Sequence, residues 1–149
     1  MLKEFFNRLF SSKPSDSISF KQGYDLTELP VITLYQGEKK FNFLLDTGSN
    51  SSIIDANIIK SIEHKRVGTE SNLFGLEGQK KTVQMCSIAL EYKNKVYEYE
   101  YLICDMKDAF GHMKQDTGVT LHGIIGSKFF NKFKYVLDFD ALIAYSKSK

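Results

Sequence analysis

Apolar residues along this chain fall in short runs broken by polar turns, and over most of its length they alternate rather than recur at helical spacing. Val31 to Tyr35 and Lys40 to Leu45 read as two strands joined through Gln36-Gly37-Glu38-Lys39, a first hairpin that runs straight into Asp46-Thr47-Gly48-Ser49. An extended run resumes from Ser52 to Asp55, and Ala56 to Ile62 reads as a short helix with Asp55 placed to cap it. Thr82 to Tyr92 and Val96 to Cys104 form a long hairpin over the three-residue connection Lys93-Asn94-Lys95. Its second arm sets Val96, Glu98, Glu100 and Leu102 on one face and Tyr97, Tyr99, Tyr101 and Ile103 on the other, and the aromatic stripe is expected to be packed. Asp105 to Thr120 has weak periodicity and reads as an irregular loop leading into His122-Gly123-Ile124-Ile125-Gly126. Ser127 is placed to cap a short helix, Lys128 to Phe133, and strands Tyr135 to Phe139 and Leu142 to Tyr145 close the chain around Asp140-Ala141.

Composition narrows the reading. With 12 Phe and 8 Tyr the chain reads as mostly β, and 149 residues at 42% hydrophobic content suffice for one domain but not for two. Residues 1–18 are expected to form an N-terminal amphipathic segment and polar linker, SSKPSDSIS, ahead of a domain spanning 19–149. Leu2, Phe5, Phe6, Leu9 and Phe10 recur at helical spacing, but docking on protein or fraying is expected of residues 2–10 before membrane association. No segment approaches the length of a membrane span, and the absence of an export signal favours the cytoplasm over export.

Charge excludes one class of partner. The net charge of +2 arises from 20 basic and 18 acidic residues spread along the chain, without the basic face that a nucleic-acid backbone requires. Cys86 and Cys104 form no CxxC pair and are expected to be reduced, partly buried thiols. His64, His112 and His122 make no metal-binding pattern, so neither a metal nor a cofactor is invoked.

The segment with chemical content is Phe41-Asn42-Phe43-Leu44-Leu45-Asp46-Thr47-Gly48-Ser49. An acid placed where an apolar strand leaves the core, followed by a glycine that admits close backbone approach and flanked by hydroxyls, has the parts of a water-activating carboxylate. Amide hydrolysis by carboxylates needs two of them sharing one proton, because like charges cannot both ionise at close range. A single Asp46 cannot serve both roles; two copies about a two-fold axis can. Competing sites are weaker: Ser49, Ser51 and Ser52 lack a nucleophile elbow, Asp138 and Asp140 suit a turn, and Gly75-Leu76-Glu77-Gly78 is not a phosphate loop. On its own, Asp46-Thr47-Gly48-Ser49 also reads as an acidic β-turn.

Taken in order, these motifs resemble the retropepsin-like, single-lobed aspartic proteases. Leu44-Leu45-Asp46-Thr47-Gly48-Ser49 resembles that family's active-site signature, Ile53-Ile54 follows at the usual interval, and Ile124-Ile125-Gly126 resembles its second signature ahead of the late helix. Asn72 to Lys80 takes the place of the substrate-covering flap, with Phe74, Gly75, Leu76, Glu77 and Gly78 as its contact and tip residues. The long polar stretch before Ile124 resembles the bacterial branch more than the viral one. The resemblance implies an all-β fold, a closed acid-protease barrel with a flap hairpin and one short late helix. It further implies a homodimeric endopeptidase acting on an extended polypeptide without a cofactor. Asp46 of each subunit would activate water, Thr47 would interlock the two loops, and Gly48 would admit the substrate. Ser49, Ile124, Ile125 and Gly126 would support the site from beneath. The alternative is a peptide-binding or dimerisation module of the same fold with weak or no catalysis.

Overall fold

In the computed structural model, which describes residues 2–3, 16–74 and 79–147, alternation in the sequence becomes strands with one buried face. β2 (Val31–Gln36) and β3 (Lys39–Leu45) pair antiparallel with Val31 opposite Leu44 and Tyr35 opposite Lys40. Along β3 the period of two sends Phe41, Phe43 and Leu45 into the core and Asn42 and Leu44 to the other face. β4 (Ile53–Asp55) leads into a 3-10 helix, Ala56–Ser61, whose first turn is capped by the Asp55 carboxylate accepting from the Asn57 N–H at 3.1 Å. β5 (Lys65–Phe74), β6 (Gln79–Tyr92) and β7 (Lys95–Cys104) follow, and β8 (Gly123–Ile125) comes later in the chain.

The strand order β2-β3-β8-β4-β7-β6-β5, with a further β2–β6 pairing at Tyr35 and Glu91, closes six of these strands into a ring and leaves β5 hanging on β6. A separate sheet, ordered β1-β10-β9, joins β1 (Ile18–Ser19) to β10 (Ile143–Ser146) and β9 (Tyr135–Asp138). Tyr92 pairs with Lys95, so Lys93 and Asn94 alone make the β6–β7 turn, one residue tighter than expected, with Lys93 at a φ of 53°.

The barrel is closed, but the chain is not all-β. Besides the 3-10 segment it carries α1 (Lys21–Thr27), α2 (Lys107–Thr117) and α3 (Ser127–Phe133), where one short late helix was expected. The Asp105–Thr120 stretch is not an irregular loop. The Asp105 carboxylate accepts from the Lys107 N–H at 3.0 Å at one end, and Gly118, at a φ of 79°, ends the helix at the other. Only Met106, Phe110 and Met113 carry its apolar face, spaced four and three residues apart. That face packs with Leu44, Leu121 and Ile124 on the outer side of β3 and β8. Three apolar residues across so polar a helix leave a faint periodic signal, and tertiary packing supplies the rest.

The main core is aromatic. Tyr97 and Tyr101 are fully buried, Tyr99 and Ile103 partly so, and the stripe on β7 meets Phe129, Phe133 and Tyr135 from α3 and β9. Phe129 lies 4.6 Å from Phe133 between ring centroids, and Tyr99 meets Phe129 edge-on at 5.2 Å. The packed stripe anchors α3 against the barrel directly below the turn that leaves β8.

Candidate active site

Asp46 stands at the end of β3, where the inward residues Phe41, Phe43 and Leu45 have just fixed the strand in the core. Its N–H donates to the Ile125 carbonyl at 2.9 Å, while the parallel register places Leu45 beside Ile125. On its other side β8 runs antiparallel to β4, with Ile124 opposite Ile53. The second apolar pair is therefore threaded between the strand that enters the Asp46 turn and the strand that leaves it. Two motifs about eighty residues apart in sequence become one substructure, and the half-buried Asp46 lies at its apex, with Thr47 and Gly48 exposed.

The turn is tied down by backbone groups. The Gly48 N–H donates to Asp46 Oδ1 at 3.0 Å, and the Ser49 N–H donates to the Asp46 carbonyl at 3.2 Å. Ser49 Oγ donates to the Ser51 carbonyl at 2.8 Å. From below, the Ser127 N–H donates to the Ser49 carbonyl at 2.7 Å and the Gly126 N–H donates to the buried Ser52 Oγ at 3.0 Å. A Cβ on Gly126 would lie 2.5 Å from the Ser51 carbonyl oxygen and 2.7 Å from that of Ser49, so no larger residue fits. Gly126, not Ser127, precedes the first turn of α3; Ser127 is already helical, and its N–H rather than its hydroxyl does the anchoring.

Ile124, Ile125 and Gly126 lie along and beneath the Asp46 turn, and Ser49 is hydrogen-bonded within it. Phe74 ends β5, while Gly75, Leu76, Glu77 and Gly78 fall outside the described residues. The ribbon below them is present: β5 and β6 pair from Lys65 opposite Ser87 to Phe74 opposite Gln79, whereas β6 meets β7 only from Met85 onward. Among the described residues, 79–84 therefore pair with β5 alone. An open hollow of about 440 Å³ lies beside the Asp46 turn, between Ser51 and Ser52, Glu98 and Glu100 of β7, and Lys128 and Lys132 of α3.

Two further residues hold the turn and the strands that approach it. Ser52 was weighed only as a nucleophile, yet it is a buried acceptor for Gly126; the signal was a small hydroxyl residue directly ahead of the Ile53-Ile54 strand. His122 is a latch: its ring Nδ1 accepts from the Asn42 backbone N–H at 2.9 Å, and its backbone N–H donates to the Asn42 carbonyl at 2.8 Å. Asn42 Nδ2 donates to the Thr120 carbonyl at 2.8 Å, which ties the approach to β8 along β3. Burial holds the His122 imidazole below its usual range, against a smaller opposite pull from Asp55.

Asp138, another acid weighed in the sequence, has a structural role. Asp138 Oδ1 accepts from the N–H groups of Asp140 and Ala141, a turn role. Cys86 and Cys104 are free thiols; Cys86 sits opposite Tyr101, and burial raises its thiol to about 11. Among the described residues no three His, Cys, Asp or Glu side chains gather as a metal site, and no helix is long and apolar enough to cross a membrane.

No protein-family model matches the chain, and no curated protein does. Among solved structures, it is similar to the crystal structure of the retroviral protease-like domain of Ddi1 from Leishmania major, with a TM-score of 0.51 over 81% of this chain and 90% of that one. Sequence identity in that comparison is 8%, so the likeness is one of fold: a distant match to a retropepsin-like protease domain.

Proposed function

We propose that the protein is an aspartic endopeptidase, active as a homodimer in which Asp46 of each copy shares one proton and activates water against an extended polypeptide. The observation that carries this reading is the apex position of Asp46. The half-buried carboxylate accepts from the Gly48 N–H of its own turn, and the backbone of that turn and of the chain leaving it is braced by Ile125, Gly126 and Ser127. Rigid placement is what a water-activating pair requires, since a small displacement of either oxygen loses the shared proton. Thr47 and Gly48 are exposed beside Asp46; in this reading Thr47 would meet the partner's loop and Gly48 would leave room for a substrate backbone. The β5–β6 ribbon, with Phe74 to Gly78 at its end, would cover the peptide, and no cofactor takes part. The polar segment that sets the bacterial branch apart from the viral one corresponds here to α2.

Asp46→Asn tests the assignment, because an amide keeps the hydrogen-bonding shape but cannot cycle the proton. Cleavage of a mixed peptide library by the purified variant should fall by about 10²–10⁴-fold or more, with folding and dimerisation retained. Undiminished hydrolysis by D46N would sink the proposal. Saturable peptide binding without hydrolysis by the unaltered protein would favour the non-catalytic peptide-binding module instead.

A further inference from the structure

Asp46 is tied to β8 through the Ile125 carbonyl, and β8 is only three residues long. What sets so short a strand against β3 lies one step before it. The β3–β8 register begins with Phe43 beside Gly123, and just ahead of that pair Asn42 and His122 are joined twice. The His122 backbone N–H donates to the Asn42 carbonyl at 2.8 Å, and the Asn42 backbone N–H donates to the His122 ring Nδ1 at 2.9 Å. The His122 carbonyl accepts from the Asp55 N–H at 2.9 Å, so the same residue ties the start of β8 to β4 as well.

A backbone amide can only donate, so the ring bond exists only while Nδ1 keeps its lone pair. A protonated imidazole would turn a second donor on the Asn42 N–H and leave that group unpaired. Around the half-buried ring, β3 presents Asn42 and Phe41, which meets it edge-on at 5.4 Å between centroids; neither is charged. β4 presents Asp55, whose carboxylate favours the charged imidazole, and among the described residues no other charged group acts on it. Asp105 is linked to Asp55 through Asn57 Nδ2, and on α2 the Lys114 ammonium donates to the Gly118 carbonyl. The two protonation states therefore have different partners: Asn42 favours the neutral ring, and Asp55 favours the charged one.

We infer that His122 is a positioning residue that makes the Asp46 site sensitive to acid. While its imidazole is neutral it holds β8 in register with β3; protonation releases the Asn42 N–H and loosens the strand whose Ile125 carbonyl fixes Asp46. The inference rests on the reading of Asp46 as a water-activating carboxylate. Carboxylates that share a proton lose that state only at the lower of their two titration steps, well into acid. A decline that begins nearer neutrality needs another group. Burial sets the folded imidazole below 6.5, so the latched form predominates at pH 7 and is lost as pH falls through the folded value.

Two measurements test this, and the first needs no substrate. Backbone amides of the full chain, followed by NMR between about pH 8 and pH 5, should show Asn42 and Asp46 shifting at the midpoint of the His122 ring. An Asn42 or Asp46 amide that does not follow the ring would overturn the inference. The second is His122→Asn, which offers the Asn42 N–H an amide oxygen in place of Nδ1 and does not titrate. The unaltered protein should lose kcat by about tenfold per pH unit below the midpoint, whereas H122N should keep kcat at pH 7 within about 3-fold and hold it into acid. Superimposable pH profiles for the two proteins would also overturn it. If H122N does not fold, the amide titration of the unaltered chain decides alone. If the unaltered protein cleaves at no pH, the reading of Asp46 fails, and the same titration still decides whether His122 governs the turn.

Discussion

The Asp46 turn and the β5–β6 ribbon are both loops between strands, yet they are held in opposite ways. The Asp46 turn donates to the Ile125 carbonyl of β8 and accepts from the Ser127 N–H of α3, and its neighbours belong to a ring closed on itself. The outer ribbon pairs only with itself: residues 79–84 of β6 face β5, and β5 has no other sheet partner among the described residues. Local stability follows the number of independent elements holding a segment, so the first should open with the whole fold and the second well before it. That division suits the proposed roles, a water-activating carboxylate on rigid support beside a ribbon that would cover the peptide.

The largest effect should come from breaking the rigid side at its tightest point. Gly126→Ala puts a carbon 2.5 Å from the Ser51 carbonyl oxygen, where backbone on both sides must shift. We expect a loss of about 3 kcal/mol or more, seen as a fall of roughly 10 °C in thermal melting, together with loss of cleavage. Melting within about 2 °C of the unaltered protein would show that the turn yields as easily as the ribbon.

A smaller effect should come from the latch that aligns β8 with β3. His122 Nδ1 is an acceptor for the Asn42 N–H, so the ring must be neutral on that nitrogen. Burial lowers its folded pKa below the ordinary 6.5, and the unfolded chain therefore takes up the proton first as pH falls. The stability this group contributes is present above pH 6.5 and is lost as pH falls from there through the folded value. His122→Ala should cost about 1–2 kcal/mol at pH 7 by orphaning the Asn42 N–H, and should flatten the decline between pH 7 and pH 5 in urea melts. An unchanged slope in the variant would remove His122 from the account.

How much of this was legible in the sequence depended on how each element earns its place. β3 was legible as a strand because Lys40 to Leu45 is a short apolar run ahead of Asp46, but with Leu44 apolar as well the run does not say which face is buried; that Phe41, Phe43 and Leu45 turn inward and Leu44 packs under α2 comes from the structure. Asp46-Thr47-Gly48-Ser49 and Ile124-Ile125-Gly126 were legible as separate signals. Their meeting depends on a three-residue strand, β8, that is parallel to one neighbour and antiparallel to the other, a geometry no local pattern encodes. α2 was lost because its three apolar residues are too sparse to announce a helix, and α1 because seven residues are too few for a period to establish itself. Both helices exist by packing on finished strands. The tyrosine stripe of β7 was legible as a face, but only the partners Phe129, Phe133 and Tyr135, arriving from later in the chain, show what covers it.

The smallest effect on stability should come from the ribbon, and there the comparison is sharpest. Thr82 is exposed and sits opposite Ser71, beyond the point where β6 leaves β7. Proline at that position deletes a backbone donor and bends the strand, a substitution that costs several kcal/mol in the middle of a sheet. Here the only sheet partner among the described residues is the other arm of a two-stranded ribbon, which is expected to open before the ring and so to contribute little to the global transition. Thr82→Pro should therefore shift thermal melting by no more than about 2 °C while lowering peptide cleavage through a raised KM. Melting lowered as far as by Gly126→Ala would mean that the ribbon is part of the cooperative core. Unchanged cleavage with unchanged melting would instead detach the ribbon from peptide binding and leave the Asp46 turn to act without a cover.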